Sequence, residues 1–300
     1  MLRAAAAAAG HQRFEPGALY VVATPIGNLA DITLRALHVL ARVDAVACED
    51  TRVGGALLAH FGLAGKPLVA LHAHNEHGAS AAVLDRLARG ESVAFISDAG
   101  TPAVSDPGAV LVAAAVAAGH RVVPLPGASS ALAALSAAGE TSAAGFRFAG
   151  FLPAKGAERR SRLRSLLADE TPLVLFEAPH RIEALVDELA AEAPGRRVTL
   201  ARELTKQFES IVTAAAADMP AWLAGDAHRK RGEFVLVLHA RPPGGSGAAS
   251  SEGELTAAAK HALAVLQREL PLKQAVALAA EISSAPRKAL YAWALANRRE

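Results

Sequence analysis

Between Ala18 and Leu125, five short apolar runs alternate with segments of helical spacing. The runs are Leu19–Ala23, Val43–Cys48, Leu68–Leu71, Val93–Ser97 and Val122–Leu125; the helical segments are Asp31–Ala41, Val53–His60, Ser80–Ala88 and Gly108–Ala118. Alternation at this interval predicts βαβ units and a mostly parallel sheet. The apolar runs show no polar alternation, as expected of strands covered on both faces.

A second block follows, from about Ser129 to Arg241. Its β-like runs are Phe146–Ala149, Leu173–Glu177, Val198–Ala201, Ser210–Thr213 and Phe234–His239, with helices expected over Ser130–Ala138, Ala157–Leu167 and Ile182–Ala191. This reads as a second α/β layer with a mixed sheet. The run RPPGGSGAASSEG, from Arg241 to Gly253, has linker composition. Beyond it, Leu255–Glu269, Leu272–Ile282 and Arg287–Asn297 read as three helices, with Pro271 and Pro286 where helix starts tolerate proline. The organisation expected is a disordered leader over 1–16, a first α/β domain with the cleft edge over 17–127, a second over 128–241, a linker over 242–253 and a helical tail over 254–300. The alanine-rich start faintly resembles a secretion signal, but its apolar run is short and weakly hydrophobic.

The chain carries 31 basic and 29 acidic residues, a net charge of +2, so any nucleic-acid site must be a local patch. Its one cysteine, Cys48, excludes an internal disulfide framework and fits a reducing compartment. No stretch has the length and apolarity of a membrane span.

Three turns fall at the carboxyl ends of first-block strands: Thr24-Pro25-Ile26-Gly27-Asn28, the run SDAGTPAVSDPG over Ser97–Gly108, and PLPGASS over Pro124–Ser130. Ligands of open parallel sheets bind outside those strand ends. Glycine there admits close backbone approach, and Asp98 offers an acceptor for a ligand amine or ribose. Any one of these is also an ordinary tight turn; three on one sheet edge point to a cleft. With no phosphate-loop lysine and no GxGxxG after the first strand, a nucleotide phosphate is disfavoured.

These turns, together with LYVVATPIGNLADITLR over Leu19–Arg35, Glu49-Asp50-Thr51-Arg52, LHAHNE over Leu71–Glu76, GFLPAK over Gly150–Lys155 and ARELTK over Ala201–Lys206, resemble one family. It is the bacterial 16S rRNA cytidine 2′-O-methyltransferases, the small-subunit methyltransferase I family of the tetrapyrrole-methylase superfamily. The likeness runs from Leu19 to Tyr291. It implies an α/β, two-domain tetrapyrrole-methylase-like fold, S-adenosyl-L-methionine bound in bent form between the domains, and a cytoplasmic homodimer acting on 16S rRNA within the small ribosomal subunit. Where superfamily members carry Gly-Asp-Pro, this chain has Gly100-Thr101-Pro102, a departure shared by the ribosomal RNA branch. Cofactor contacts carried over are Pro25, Asp98, Ala99, Gly100, Thr101, Pro102, Val104, Gly127, Ser129 and Ser130.

Within that reading, Glu49, Asp50 and Arg52 at the second strand end are candidates to orient a ribose 2′-hydroxyl and take its proton. Positioning alone is the alternative, because the methyl donor is already activated. A helix cap with a salt bridge would use the same residues structurally. Glu203 and Lys206 form a second catalytic candidate, for which a solvated ion-pair turn is the structural counterpart. His72, His74 and His77 have the spacing of a metallo-β-lactamase loop, but no matching scaffold follows, so no metal is expected. Basic clusters at Lys155, Arg159 and Arg160, at Arg229, Lys230 and Arg231, and at Arg287 and Lys288 are candidates for RNA phosphate contact. Leu255–Glu300 holds seven basic and three acidic residues, a net +4, leaving 24 basic and 26 acidic elsewhere. The basic tail favours an RNA substrate over a tetrapyrrole or other small-molecule methyl acceptor on the same fold. A non-catalytic ribosome-binding module would not need intact cofactor turns.

Overall fold

A computed structural model of the chain describes residues 1–142, 145–154, 156–241, 255, 257–283 and 285–297. The chain divides between Pro242 and Pro243 into two compact units.

The first unit opens with α1 (Leu2–Ala9), β1 (Leu19–Val22), α2 (Leu34–Arg42), β2 (Ala45–Cys48), α3 (Thr51–His60) and β3 (Leu68–Ala70). It continues with α4 (Glu76–Ala88), β4 (Val93–Ile96), α5 (Ala109–Ala117) and β5 (Val122–Leu125). These strands form one parallel sheet in the order β3-β2-β4-β1-β5. Side chains of one strand alternate between faces, and both faces are buried in the inner strands β1, β2 and β4. Tyr20, Val22, Val46, Cys48, Ala94 and Ile96 pack toward α1, α2 and α3, whereas Leu19, Ala45, Ala47, Val93 and Phe95 pack toward α4 and α5. Two covered faces are why the strands read as unbroken apolar runs.

A second sheet follows, through α6 (Ser130–Ala138), β6 (Arg147–Phe151), α7 (Gly156–Leu167), β7 (Leu173–Glu177), α8 (Ile182–Glu192), β8 (Arg197–Arg202), β9 (Ser210–Ala215), α9 (Met219–Ala224) and β10 (Phe234–Leu238). Its order is β6-β7-β10-β8-β9, with β6 and β7 parallel and the other pairs antiparallel. On β10, Phe234, Leu236 and Leu238 face the core shared with α7, α8 and α9, while Val235 and Val237 face α6.

The start of the chain departs from expectation. Residues 2–9, expected to be part of a disordered leader, form α1, whose Ala5 and Ala9 are buried and whose Leu2 packs against the first sheet's core. Alanine carries high helix propensity, and its small side chain lets α1 lie close to α2.

The second unit contains α10 (Ala257–Leu266), α11 (Leu272–Ser283) and α12 (Arg287–Ala296) around its own core of Leu263, Val276, Ala279 and Leu290. The expected linker, residues 242–253, lies outside the described residues. No helix among the described residues is long and apolar enough to cross a membrane.

Candidate functional site

The three strand-end turns of the first sheet are tied together. Thr24 and Gly100 exchange backbone hydrogen bonds of 2.9 and 3.1 Å, forming a short antiparallel bridge between the first turn and the second. Thr24 Oγ1 donates to the Ser97 carbonyl at 3.2 Å, and Thr101 Oγ1 donates to the Ala128 carbonyl at 3.1 Å, which links in the third turn. Against them stands an edge of the second sheet. Between the two lies a cleft of about 400 Å³.

One wall of the cleft is Ile26, Glu49, Asp98–Thr101, Val104–Asp106 and Ser129–Ala131; the other is Phe151, Phe176–Pro179, Leu204 and Glu233–Val235. Among the described residues, every non-glycine residue with left-handed backbone sits on two loops that contribute to these walls: Ala103 (φ 63°), Ser105 (64°), Glu203 (52°) and Thr205 (67°). Such conformations cost on the order of 1–3 kcal/mol each and persist where surrounding contacts over-determine them, typically at ligand sites.

The cleft is acidic. Glu49, Asp98 and Asp106 line it, and no lysine or arginine among the described residues does; Glu177 and Glu233 line it too, but their carboxylates are paired, with Arg181 and with Lys206. Burial pushes the Glu49 carboxyl above its usual range, helped by the negative Asp106, Asp98 and Asp50. Burial also raises Asp106, against the lowering effect of a Ser97 hydrogen bond and with Asp98 adding to the rise. Cys48, buried beneath the second strand end, has its thiol pushed up to about 11 by burial and by the negative Asp98 and Asp50, so it stays protonated and unreactive.

Of the expected cofactor residues, Asp98, Ala99, Gly100, Thr101, Val104, Ser129 and Ser130 line the cleft, and Pro25, Pro102 and Gly127 do not. Gly127 lies one layer back. A Cβ there would stand 2.8 Å from Ala23 Cβ, so glycine permits the turn to approach β1. Ser129 caps α6 by accepting the Leu132 amide at 3.5 Å.

The catalytic candidates separate. Glu49 faces the cleft. Asp50 caps α3, accepting the Arg52 amide at 2.8 Å, and pairs with the Arg52 guanidinium at 2.6 Å, which with those hydrogen bonds holds its carboxyl at about 2. Both residues stand outside the cleft lining, in the cap-and-salt-bridge role. Lys206 donates to Glu203 Oε1 at 2.8 Å and to Glu233 Oε2 at 3.0 Å. Burial pulls its ammonium down, but these two carboxylates outweigh burial and the net shift is upward. A charged, doubly paired lysine is not a base. Its stem packs on Gly27, where a Cβ would lie 2.4 Å from Lys206 Cγ, and so it braces the second sheet's loop against the first turn.

Sequence reasoning missed Ser105, Asp106, Phe151, Leu204, Glu233 and the whole Glu177-Ala178-Pro179 turn. That turn follows β7 and carries the same strand-end proline signal as the first-sheet turns, so the same rule applied to the second block finds it.

Arg159 is corrected as an RNA contact: it is buried, 3.1 Å from Glu188 and 3.7 Å from the fully buried Glu177 carboxylate. Arg181 completes that cluster, pairing with Glu177 at 2.9 Å and donating to the Leu152 and Pro153 carbonyls at 2.7 and 3.2 Å. Arg229 is half-buried, its guanidinium 4.6 Å from the Trp222 ring centre, and donates to the Trp222 carbonyl. Lys230 pairs with Glu183. Arg160 and Arg231 are exposed, as are Arg287 and Lys288 in the first turn of α12. Lys155 lies outside the described residues.

In the histidine loop, Asn75 accepts the His72 amide at 2.8 Å and donates to the Ala70 carbonyl at 3.0 Å, which sets the turn. No group of three or more metal-ligating side chains converges among the described residues.

Comparison with known proteins gives two family matches. Residues 18–220 match the Tetrapyrrole (Corrin/Porphyrin) Methylases, and residues 253–298 match the RsmI C-terminal HTH domain. The chain is 48% identical over 280 residues to the ribosomal RNA small subunit methyltransferase I of Escherichia coli O157:H7, covering 93% of this chain and 95% of that protein. It is 49% identical over 280 residues to the protein of the same name from Pseudomonas aeruginosa, covering 93% and 97%. Among solved structures, the fold is shared with diphthine synthase (TM-score 0.55, 18% identity, 74% of this chain and 89% of that one). It is also shared with uroporphyrin-III C-methyltransferase from Thermus thermophilus in complex with S-adenosyl homocysteine (TM-score 0.52, 18% identity, 73% and 96%).

Proposed function

The chain belongs to the tetrapyrrole (corrin/porphyrin) methylases and, within them, to the ribosomal RNA small subunit methyltransferase I family, and from that premise we propose that it transfers a methyl group from S-adenosylmethionine to the 2′-hydroxyl of a cytidine ribose in 16S rRNA. The observation that carries this reading is the acidity of the cleft. A site lined by Glu49, Asp98 and Asp106 without a lysine or arginine repels phosphate and suits a ligand carrying a sulfonium and an ammonium group. Its volume of about 400 Å³ lies within the range of small-molecule sites.

When bound, S-adenosylmethionine supplies a methyl group on a positively charged sulfur, so the leaving group needs no activation. Asp98 and Asp106 hold the cationic ligand by charge and hydrogen bonding, with Ser129 and Ser130 offering hydroxyls beside them. Glu49 accepts the ribose hydroxyl proton as the oxygen attacks; its raised carboxyl moves it toward the strength a base needs near neutral pH. Exclusion of basic residues from the cleft leaves RNA phosphates to be held outside it, by exposed Arg160 and Arg231 and by Arg287 and Lys288 of the helical unit. The reading includes a cytoplasmic enzyme working on the small ribosomal subunit. It also includes a homodimer: β9 is an edge strand, with Ile211 and the neighbouring Phe208 exposed.

The test supplies methyl-labelled S-adenosylmethionine and small subunits lacking the modification, then maps the labelled nucleotide. Label on a single cytidine ribose is the expected result. Label on a base, or transfer only to small molecules, overturns the assignment.

A further inference from the structure

The loop from Asp98 to Gly108 supplies seven cleft residues and contains two non-glycine residues in left-handed conformation, Ala103 and Ser105. A loop held in that state needs anchors at both ends. Its near end is fixed by the Thr24–Gly100 bridge. Its far end enters α5, whose first turn reads Ala-Val-Leu and whose N-cap, Gly108 (φ 121°), has no side chain to receive the leading amides. Gly108 cannot be exchanged for a capping serine or aspartate, because a Cβ there would stand 2.0 Å from the Phe95 ring. An uncapped helix start leaves backbone donors without partners.

Glu76 fills that role from 32 residues upstream. Its Oε1 accepts the Gly108 amide at 2.7 Å and the Val110 amide at 3.0 Å. The residue is placed by the histidine loop. Asn75 closes the turn before it, Ser80 Oγ donates to its carbonyl, and α4 then packs on α5 through Ala79, Val83, Leu111 and Ala115. The carboxylate also sits where the helix dipole favours negative charge.

We propose that Glu76 is a positioning residue for the cofactor: a remote helix cap that locks the far end of the Asp98–Gly108 loop and so fixes the acidic wall of the cleft. The inference rests on the reading that this cleft binds S-adenosylmethionine. The LHAHNE motif is thereby accounted for by shape, with Asn75 forming the turn and Glu76 capping α5. Glu76 touches no reacting group. It acts through Thr101, Val104, Ser105 and Asp106, so its loss is felt in cofactor affinity and not in the chemical step.

The test compares Glu76→Ala with Glu76→Gln in the full chain. Glutamine keeps an acceptor oxygen at the same reach; alanine removes it. Loss of a helix cap corresponds to about a tenfold weakening of S-adenosylmethionine binding by calorimetry for Glu76→Ala. KM for the cofactor rises to match, while kcat at saturating cofactor and KM for the small subunit stay near wild type. Glu76→Gln recovers most of the lost affinity. Amide hydrogen exchange over residues 98–110 gives a readout independent of any ligand, and it accelerates in Glu76→Ala. Unchanged exchange and unchanged affinity in Glu76→Ala overturn the proposal, as does a fall in kcat and subunit affinity alongside cofactor affinity. Faster exchange in Glu76→Ala, together with a wild-type protein that binds no S-adenosylmethionine, keeps the cap and overturns its link to the cofactor.

Discussion

Arg159 and Glu177 face each other in the interior of the first unit, 3.7 Å apart, with the carboxylate fully buried and the guanidinium nearly so. Glu177 borders the cleft, so this pair and Arg181 fix the wall opposite the Asp98–Gly108 loop. Removing Arg159 leaves the buried Glu177 carboxylate held by Arg181 alone and takes the guanidinium away from Glu188. Arg159→Ala is therefore expected to destabilise the protein by on the order of 2 kcal/mol, read by chemical denaturation. Arg160→Gln, on the exposed face of the same helix, should stay within about 0.5 kcal/mol of wild type. Equal stability of the two variants would contradict the structural role given to Arg159.

Asp106 makes a pH-dependent prediction. Burial raises its folded pKa above the unfolded value, so the folded state favours the protonated form. A raised acid contributes stability that is present below the unfolded pKa and is lost as pH rises through the folded pKa. At neutral pH the ionised carboxylate thus costs stability, and Asp106→Asn should raise Tm there. The gain should vanish in acid, where the wild-type group is already protonated. S-adenosylmethionine affinity should fall at the same time, because one negative charge leaves the cleft. A variant with unchanged Tm at neutral pH, or with tighter cofactor binding, refutes this account.

Gly127 is expected to matter through Ala23. A Cβ 2.8 Å from Ala23 Cβ forces β1 and the third turn apart, so Gly127→Ala should cost about 1–3 kcal/mol and weaken cofactor binding. Adding Ala23→Gly restores the space, and the double variant should recover both properties. Direct ligand contact by Gly127 would instead leave the double variant as weak as the single one in calorimetry.

The helical unit should carry part of the RNA affinity. Arg287 and Lys288 are exposed on α12, and Leu255–Glu300 holds a net charge of +4. Changing both to glutamine should weaken small-subunit binding and flatten its salt dependence by roughly 0.7 to 0.9 in log–log slope for each phosphate that is no longer neutralised. Cofactor affinity should not change. A wild-type slope in a variant folded by circular dichroism would remove these two residues from the RNA surface.

Much of the frame was determined by the sequence alone. Strands buried on both faces must be apolar throughout, so β1, β2 and β4 announce themselves, and with them the edge at which the three turns converge. Glycine and proline have few conformational roles, which is why Gly100 and the Ser129–Ser130 turn are legible as parts of a cleft. Tertiary structure decided what charged residues do, because a charge has no intrinsic place. Arg159 and Arg160 are neighbours of one kind in the chain, yet a helix turns one inward to Glu177 and the other to solvent. Asp50 and Glu49 are adjacent carboxylates, yet strand-end geometry sends one to cap α3 and the other into the cleft. Glu76 reaches an amide 32 residues away, a distance that no local pattern encodes. Periodicity reports burial, which is local and repetitive; partnership between charges is set only when distant segments meet.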